Sequence, residues 1–592
     1  MDSAGIERGA DIVHRAFEDY HTLFRGITRR ARERFERRDW DGIRRDTVKR
    51  LGLHKQSLIE TEESLRATCG DLVDTHAGLA AMKEAYTRAI LGRDDFEVAQ
   101  TYFNSLVRRL WPHAGVDPAI DYVASEFPLP FSGWEMASAR LYAVRTLDAS
   151  VLAKVLEDVD FHRPFSDLDG DCEHAAARLR EGLGRVFDEP QIDGLDVLRP
   201  LFVRNKAAYV VARARRGKRV MPVVLVVVHR QDGLAVDAVL HREEDVSILL
   251  SFARWYFHAE LPSPRQVIGF LHSILPRKRL AELYISLGYN KHGKTELYGD
   301  LLQVIEHSEE RFVRAPGTPG LVMAVFTLPS YEFVFKVIKD SFPPSKKTTR
   351  REVMERYREV LAHDRVGRLV DFQEFEDLVF PRQRFSEAML EELLSVAGRS
   401  VRLEGDRVVI RHLYIGRRVV PLDVFLRDAS ESEARAAVRD WGHALKDLAA
   451  ANIFAGDILL KNFGITRHSR VVFYDYDELC SLGECRFRPL PQPRDPIEEM
   501  AAEPFYSVAD GDVFPEEFRT FIELRGPLRE VFDQHHSDLF DVAFWRGLQE
   551  RNRAGEVIDF YPYTLASRLR SAPSEPMDGD ADEDMASAGR MR

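Results

Sequence analysis

The sequence predicts an α+β chain in two large parts, and three observations lead there. Its 592 residues exceed what one hydrophobic core organises. Residues 1–305 repeat apolar side chains mostly at helical spacing, around one short set of strands. From Arg311 the texture turns to strand pairs separated by Gly/Pro turns and then returns to helices. That predicts a two-lobed domain over 306–570, strand-rich lobe first. A tail over 571–592 is acidic and lacks apolar periodicity, which predicts disorder.

Composition sets limits on function. With 45% hydrophobic and 30% charged residues the chain reads as globular, and a net charge of −12 gives no support to nucleic-acid binding. The N-terminus carries charges throughout and has no apolar core of signal-peptide length. The greasiest run, Val220 to Val228, is too short to span a bilayer and contains Pro222, so a cytoplasmic protein is expected, without membrane partners. Cys69, Cys172, Cys480 and Cys485 are too few and scattered for a disulfide framework, in keeping with a reducing compartment. Cys480 and Cys485 are near enough to reach one another, but they lack the spacing and partners of a zinc site and read as structural.

In the first part, Ala16-Phe17, Tyr20, Leu23-Phe24 and Ile27 repeat at helical spacing, as do Val246, Leu249-Leu250, Ala253 and Tyr256-Phe257. The Val220 to Val228 run reads as a buried strand. With Ala208 to Val211 before it and Gly233 to Val236 after, it predicts a small antiparallel meander. After Pro262, Ser263 is placed to cap a helix that Pro264 begins. Gly288 to Thr295 satisfies the phosphate-binding P-loop pattern, ending in Gly293, Lys294 and Thr295. Such a loop is launched by a strand, whereas Leu280, Leu283-Tyr284 and Leu287 precede this one at helical spacing. A basic loop between helices is the expectation.

The second part opens with a turn, Ala315, Pro316, Gly317, Thr318, Pro319, Gly320 and Leu321, whose small residues let backbone amides approach phosphates. Strands are expected over Leu321 to Leu328 and Tyr331 to Ile338. Lys336 sits inside the second, and a lysine amid residues that should be buried needs an anionic partner, which a phosphate of ATP supplies. Pro343 to Lys347 reads as a linker into a helix from about Thr348, on which Glu352, Glu355 and Glu359 are candidates to pair with Lys336. Val408 to Ile415 is expected as a strand, with the segment through Leu422 as the hinge beside adenine. Glu433 to Ala451 is expected as an amphipathic helix.

That helix delivers the chain into AAANIFAGDILLKNFGITRHSRVVFYDYDEL. Asp457, then Asn462, then Asp475 at the end of an apolar strand form a phosphoryl-transfer layout. The first acid holds the hydroxyl nucleophile, and the amide and second acid hold Mg²⁺ on the nucleotide phosphates. Mn²⁺ has the same ligand preferences. Protein kinases space these groups alike, so the domain reads as bilobal and protein-kinase-like. The spacing alone is equally that of a polar turn, and the upstream turn, hairpin and lysine decide between them. Several features depart from ordinary kinases. Ala455-Gly456 replaces His-Arg, Asp475-Tyr476-Asp477 replaces Asp-Phe-Gly, and no Ala-Pro-Glu follows. Asp477 is then an extra carboxylate able to orient a water, and Lys461 a cation able to neutralise a transferred phosphoryl group.

Set in order, APGTPGLVMAVFTLPSYEFVFKVIKD, HDRVGRLVD and KDLAAANIFAGDILLKNFGITRHSRVVFYDYDEL resemble the isocitrate dehydrogenase kinase/phosphatase family, over nearly the whole chain. The resemblance implies a helical regulatory domain joined to an atypical kinase-like domain. It implies that one site phosphorylates a serine of isocitrate dehydrogenase, a homodimer, removes that phosphate and hydrolyses ATP. Flux between the tricarboxylic acid cycle and the glyoxylate bypass would be set this way, with AMP as the allosteric effector bound between the domains. It also brings forward Asp371, which ends the second of these stretches, as a further catalytic candidate behind Asp457; a salt bridge to Arg365 or Arg368 is the alternative. A catalytically silent nucleotide sensor on the kinase fold, and an ATPase built on Gly293, Lys294 and Thr295, are the competing functional readings.

Overall fold

The computed structural model describes residues 3–122, 138–251, 256–344, 346, 348–361, 364–492, 506–556, 558, 560–563 and 567–569. The expectation for the tail falls outside these residues. Ser3–Glu36 and Trp40–Cys69 form a long helical hairpin, with the Asp39 side chain capping the second helix through the Gly42 amide. His76–Ile90 and Phe96–Leu110 pack on it through Phe17, Met82, Tyr86 and Phe103.

The meander is part of a larger antiparallel sheet: β1 (Ala139–Tyr142), β2 (Gly194–Leu198), β3 (Phe202–Arg204), β4 (Ala207–Arg216), β5 (Arg219–His229) and β6 (Leu234–Leu240), in the order β1-β2-β4-β5-β6 with β3 on β4. Its centre explains the unbroken apolar run. Val224 and Val226 face the helical bundle, while Val223, Leu225 and Val227 face the helices Ala149–Val159 and Leu168–Phe187. Covered on both faces, β5 cannot alternate apolar with polar.

Two expectations in this half are corrected. The pattern from Val246 to Phe257 is not one helix: Glu243–Leu249 ends it, the Phe257 amide donates to the Ser286 carbonyl, and His258 exchanges two backbone hydrogen bonds with Val203. Pairing with β3 outweighs the local periodicity. Gly293, Lys294 and Thr295 lie inside the helix Asn290–His307, not in a loop. The Gly293 amide donates to the Tyr289 carbonyl, so it is spent within the helix and unavailable to a phosphate. Lys294 donates to the Glu374 carbonyl and lies 4.7 Å from the centroid of Phe375, tying this helix to the second half. The helix Pro264–Ile274 begins as expected, although the Ser263 side chain makes no capping bond.

The strand-rich lobe is one antiparallel sheet in the order β10-β12-β9-β8-β7, built from β7 (Val313–Arg314), β8 (Met323–Thr327), β9 (Phe333–Ile338), β10 (Phe372–Pro381), β11 (Val401–Glu404, paired to β12) and β12 (Arg407–Arg417). The expected strand from Leu321 starts later, because Leu321 is half-exposed in the turn. Along β9, Phe333, Phe335 and Val337 enter an aromatic core with Phe312, Phe326 and Phe380. Alternation therefore turns Lys336 and Ile338 to the other face, where the helix Arg350–Leu361 packs through Val353 and Tyr357.

In the other lobe, Ser430 and Glu433 form a capping box that starts the helix Glu431–Ala450. The fully buried Trp441 packs this helix on Phe463 and Phe532. Short strands follow: β13 (Val420–Pro421), β14 (Ile453–Phe454), β15 (Phe463–Ile465), β16 (Val471–Phe473) and β17 (Cys480–Ser481), joined as β13-β15-β16 and β14-β17. The expected late helical texture forms as Phe518–Phe521 and Pro527–His536. Among the described residues, no helix is long and apolar enough to cross a membrane.

Candidate active site

The site is assembled where β14 leaves its helix and β16 ends. Gly456 has φ 72°, a conformation that glycine adopts without strain, and a Cβ there would stand 2.3 Å from the Glu478 carbonyl oxygen. The loop carrying Asp457 thus lies directly against the acidic turn that follows Asp475. Gly456→Ala is expected to cost ~2 kcal/mol or more, since the left-handed backbone alone costs about 1–2 kcal/mol in a residue with Cβ. Urea unfolding and ATP turnover measure it; turnover should drop at least tenfold, and an unchanged rate would contradict this close approach.

Asp457 is half-buried, and its Oδ1 accepts the Leu459 amide at 3.0 Å, which orients the carboxylate. Asn462 is buried and its Nδ2 donates to the Asp457 carbonyl at 3.3 Å. The Asn462 carbonyl in turn accepts the Tyr474 amide at 3.1 Å, so the segment that ends in Asp475 is laced to the Asp457 loop. Lys461 lies in the intervening turn with its side chain exposed, and the Tyr474 hydroxyl donates to its carbonyl.

Lys336 reaches this assembly from the sheet. Its Nζ donates to the Tyr474 carbonyl at 2.8 Å and lies 4.2 Å from the centroid of Phe372. Burial lowers its pKa to about 8, against the opposing pull of Asp475 and Asp477. Neither Glu352 nor Glu355 pairs with it. Glu352 bonds Thr348 and Thr349, and Glu355 pairs with Arg351; the Glu359 side chain lies outside the described residues. The helix instead turns Tyr357 inward, 3.5 Å from Lys336 Nζ and stacked on Tyr414 at 4.3 Å. An apolar face at helical spacing, Val353 with Tyr357, is the signal that could have shown this.

The acidic turn fits a hard divalent cation. The Asp475 and Asp477 carboxyls are within hydrogen-bonding reach of each other, and Asp477 Oδ1 is buried without a hydrogen-bond partner. Burial first, then the charge of Asp475, pushes the Asp477 pKa up to about 7, with Lys336 and Lys346 opposing. Among the described residues no group of three or more His, Cys, Asp or Glu is disposed to hold a metal. Two acids and an amide leave the remaining positions to phosphate and water, the shared coordination that Mg²⁺ favours. Asp475, Asp477 and Asn462 are thus the residues that could hold it.

Other placements qualify the sequence reading. The turn from Ala315 to Leu321 links β7 to β8. Within it Gly317 has φ 109°, and a Cβ there would meet Pro421 of the hinge at 3.0 Å. The Ala315 amide donates to the Val325 carbonyl, while Pro316, Thr318, Pro319 and Gly320 are exposed. Asp371 Oδ2 accepts from Gln373 Nε2 at 2.6 Å, and the residue lines a separate cavity of about 240 Å³ with Lys278, Glu282, Arg417 and His468. Arg368 is committed elsewhere. It is buried and bonds Asp440 at 2.8 Å, Asp447 at 2.7 Å and the Val471 carbonyl at 2.9 Å, fixing β16 against the helix Glu431–Ala450. Sequence reasoning also passed over Lys346. It pairs with Glu478 at 2.5 Å beside the acidic turn, a contact that crosses between the lobes and leaves no local pattern.

Comparison with known proteins points to one family for both halves. Residues 10–309 match the family described as isocitrate dehydrogenase kinase/phosphatase (AceK), regulatory domain, and residues 310–565 match the corresponding kinase domain. An isocitrate dehydrogenase kinase/phosphatase of Anaeromyxobacter sp. (strain Fw109-5) is 48% identical over 561 residues, 95% of this chain and 97% of the relative. One of Anaeromyxobacter dehalogenans (strain 2CP-C) is 46% identical over 586 residues, 97% of this chain and 100% of the relative. With both halves matched and two relatives aligned almost end to end, the chain belongs to the isocitrate dehydrogenase kinase/phosphatase family.

Proposed function

We propose that this chain phosphorylates a serine of isocitrate dehydrogenase with ATP, removes that phosphate, and hydrolyses ATP, all at the one site described above. The observation that carries the reading is the convergence of Lys336, Asp457, Asn462 and Asp475 across the two lobes, in a chain of this family. In this reading Asp457 accepts the hydrogen bond of the serine hydroxyl and directs it at the γ-phosphate; Asp371, bonded to Gln373 in the separate cavity, ranks behind it as an acid. Lys336 holds nucleotide phosphate oxygens, and the turn from Ala315 to Leu321 covers them. Mg²⁺, held by Asn462 and Asp475, would neutralise charge on the phosphates. Lys461 adds positive charge at the transferred group. ATP and ADP are the nucleotides, and the protein partner is the isocitrate dehydrogenase dimer. The resulting switch would divide flux between the tricarboxylic acid cycle and the glyoxylate bypass in the cytoplasm.

AMP would act between the two halves. A cavity of about 500 Å³ lies there, lined by Trp40, Tyr209 and Tyr561 together with Lys206, Arg230 and Arg551. Aromatic faces beside several cations suit a nucleoside monophosphate.

The two directions separate at Asp477. Dephosphorylation needs a second nucleophile, water or the β-phosphate of ADP, on the in-line path, and a carboxylate with an unspent buried oxygen is positioned to orient it. Asp477→Ala is expected to lower phosphatase kcat/KM at least tenfold more than kinase kcat/KM, about 1.4 kcal/mol. Asp477→Asn should share the bias, because charge matters more than shape. Both directions are measured on purified isocitrate dehydrogenase, with stability checked separately. Equal losses would assign Asp477 to the metal or to folding, and a kinase-selective loss would rule out the role.

A further inference from the structure

The chain has four cysteines, and two of them meet at the foot of the candidate site. Cys480 and Cys485 have their sulfurs 3.6 Å apart. Cys480 is partly exposed and Cys485 buried, an attacking thiol and a resolving one. A hydrogen bond from Cys485 favours the Cys480 thiolate over its burial cost, while the same bond and burial push Cys485 up. Neither sulfur has a role in the phosphoryl-transfer reading.

The pair is wired to the Asp457 loop by backbone contacts. β17 begins at Cys480, which pairs with Phe454, and Ser481 pairs with Ile453. The turn between the two cysteines grips the residue before β14: the Leu482 amide donates to the Asn452 carbonyl at 3.1 Å, and the Gly483 amide to Asn452 Oδ1 at 3.2 Å. Gln549 holds the other side of the turn through the Leu482 and Cys485 carbonyls, at 2.7 and 2.8 Å. A disulfide needs its sulfurs about 2.05 Å apart, so closing this pair draws them together by ~1.5 Å. The bonds to Asn452 and the pairing with Phe454 are the route by which that motion would reach Gly456 and Asp457.

We propose that Cys480 and Cys485 form a reversible thiol–disulfide switch that acts on the Asp457 loop, with a peroxide as the oxidant. The Cys480 thiolate attacks the O–O bond, gaining one oxygen as a sulfenic acid and releasing hydroxide, which takes up a proton. The Cys485 sulfur, losing its proton, then displaces that oxygen as water and forms the S–S bond. Two thiols lose two electrons in all and the peroxide gains them. A low-molecular-weight thiol reverses the step by exchange.

The test exposes the reduced full chain to graded hydrogen peroxide and reads three things. These are peptide mass mapping without reduction, amide exchange over residues 452–462, and ATP turnover. The switch predicts a 480–485 linkage before Cys69 or Cys172 is modified, altered exchange in that segment, and turnover down at least fivefold. Dithiothreitol should restore all three. The Cys480→Ser chain should lose the response, and a chain with both Cys69→Ser and Cys172→Ser should keep it. If Cys480→Ser does not fold, the mapping and its reversal on the unaltered chain decide the matter. The proposal is overturned if no 480–485 linkage forms, or if it forms with exchange unaltered and turnover within twofold. Mapping and exchange do not depend on which phosphoryl acceptor the site uses, so a failed kinase assignment would be distinguishable.

Discussion

Lys336→Ala is expected to lower ATP-dependent phosphoryl transfer at least a hundredfold, about 2.7 kcal/mol, while Lys294→Ala leaves ATP affinity within twofold. Both residues sit in segments with a nucleotide-binding appearance, so the pair discriminates between two sites. Lys336 is a buried ammonium held by one backbone carbonyl and facing Asp475 and Asp477, the surroundings of a cation waiting for phosphate. Removing it also removes the cost of burying a charge, so the variant should remain folded and lose function selectively. Lys294 lies within a helix, next to a Gly293 amide already bonded to Tyr289, and it contacts Glu374 and Phe375 across the junction between the halves. Its loss should appear as a small drop in stability. ATP binding by calorimetry and turnover, each with a thermal unfolding control, check both variants. Binding abolished by Lys294→Ala and retained by Lys336→Ala would overturn the site.

Asp475→Ala is expected to remove kinase, phosphatase and ATPase activities together, each by about 10²–10³-fold or more, the scale of losing one charge-stabilising group at a transferring phosphoryl centre. All three reactions need the metal placed between nucleotide and protein. The variant should fold, since Asp475 and Asp477 repel one another and only one of the pair is being removed. Parallel assays of the three activities on a single preparation, across a range of Mg²⁺ concentrations, make the check. Phosphatase activity persisting at the unaltered rate would mean two separate sites.

How far these residues could be read from sequence depends on whether their chemistry is local. The Asp457, Asn462 and Asp475 spacing is short-range, and the structure joins those segments through the Asn462 carbonyl and Tyr474 amide. The lysine strand was legible because alternation in β9 leaves a charge where an apolar residue is expected. What was hidden is long-range. The spacing of Val353 and Tyr357 marks the buried face of that helix, but that Tyr357 rather than Glu352 or Glu355 meets Lys336 depends on how the helix packs against Tyr414. Lys346 with Glu478, and Arg368 with Asp440 and Asp447, meet only in the folded chain. Strands β2, β3, β10 and β11 were likewise missed, since each draws its stability from pairing with a strand read more easily, and β1 pairs with β2 in turn. The long apolar pattern from Val246 failed for the same reason in reverse, when pairing with Val203 overrode helical periodicity.

The central claim is that one site carries phosphate in both directions. It is tested most directly by incubating the chain with isocitrate dehydrogenase, Mg²⁺ and γ-labelled ATP, then chasing with ADP and AMP. The account predicts that label enters a serine of isocitrate dehydrogenase, leaves it during the chase, and does neither with Asp475→Ala. Label that never enters, or that enters and leaves through a variant lacking Asp475, would contradict it.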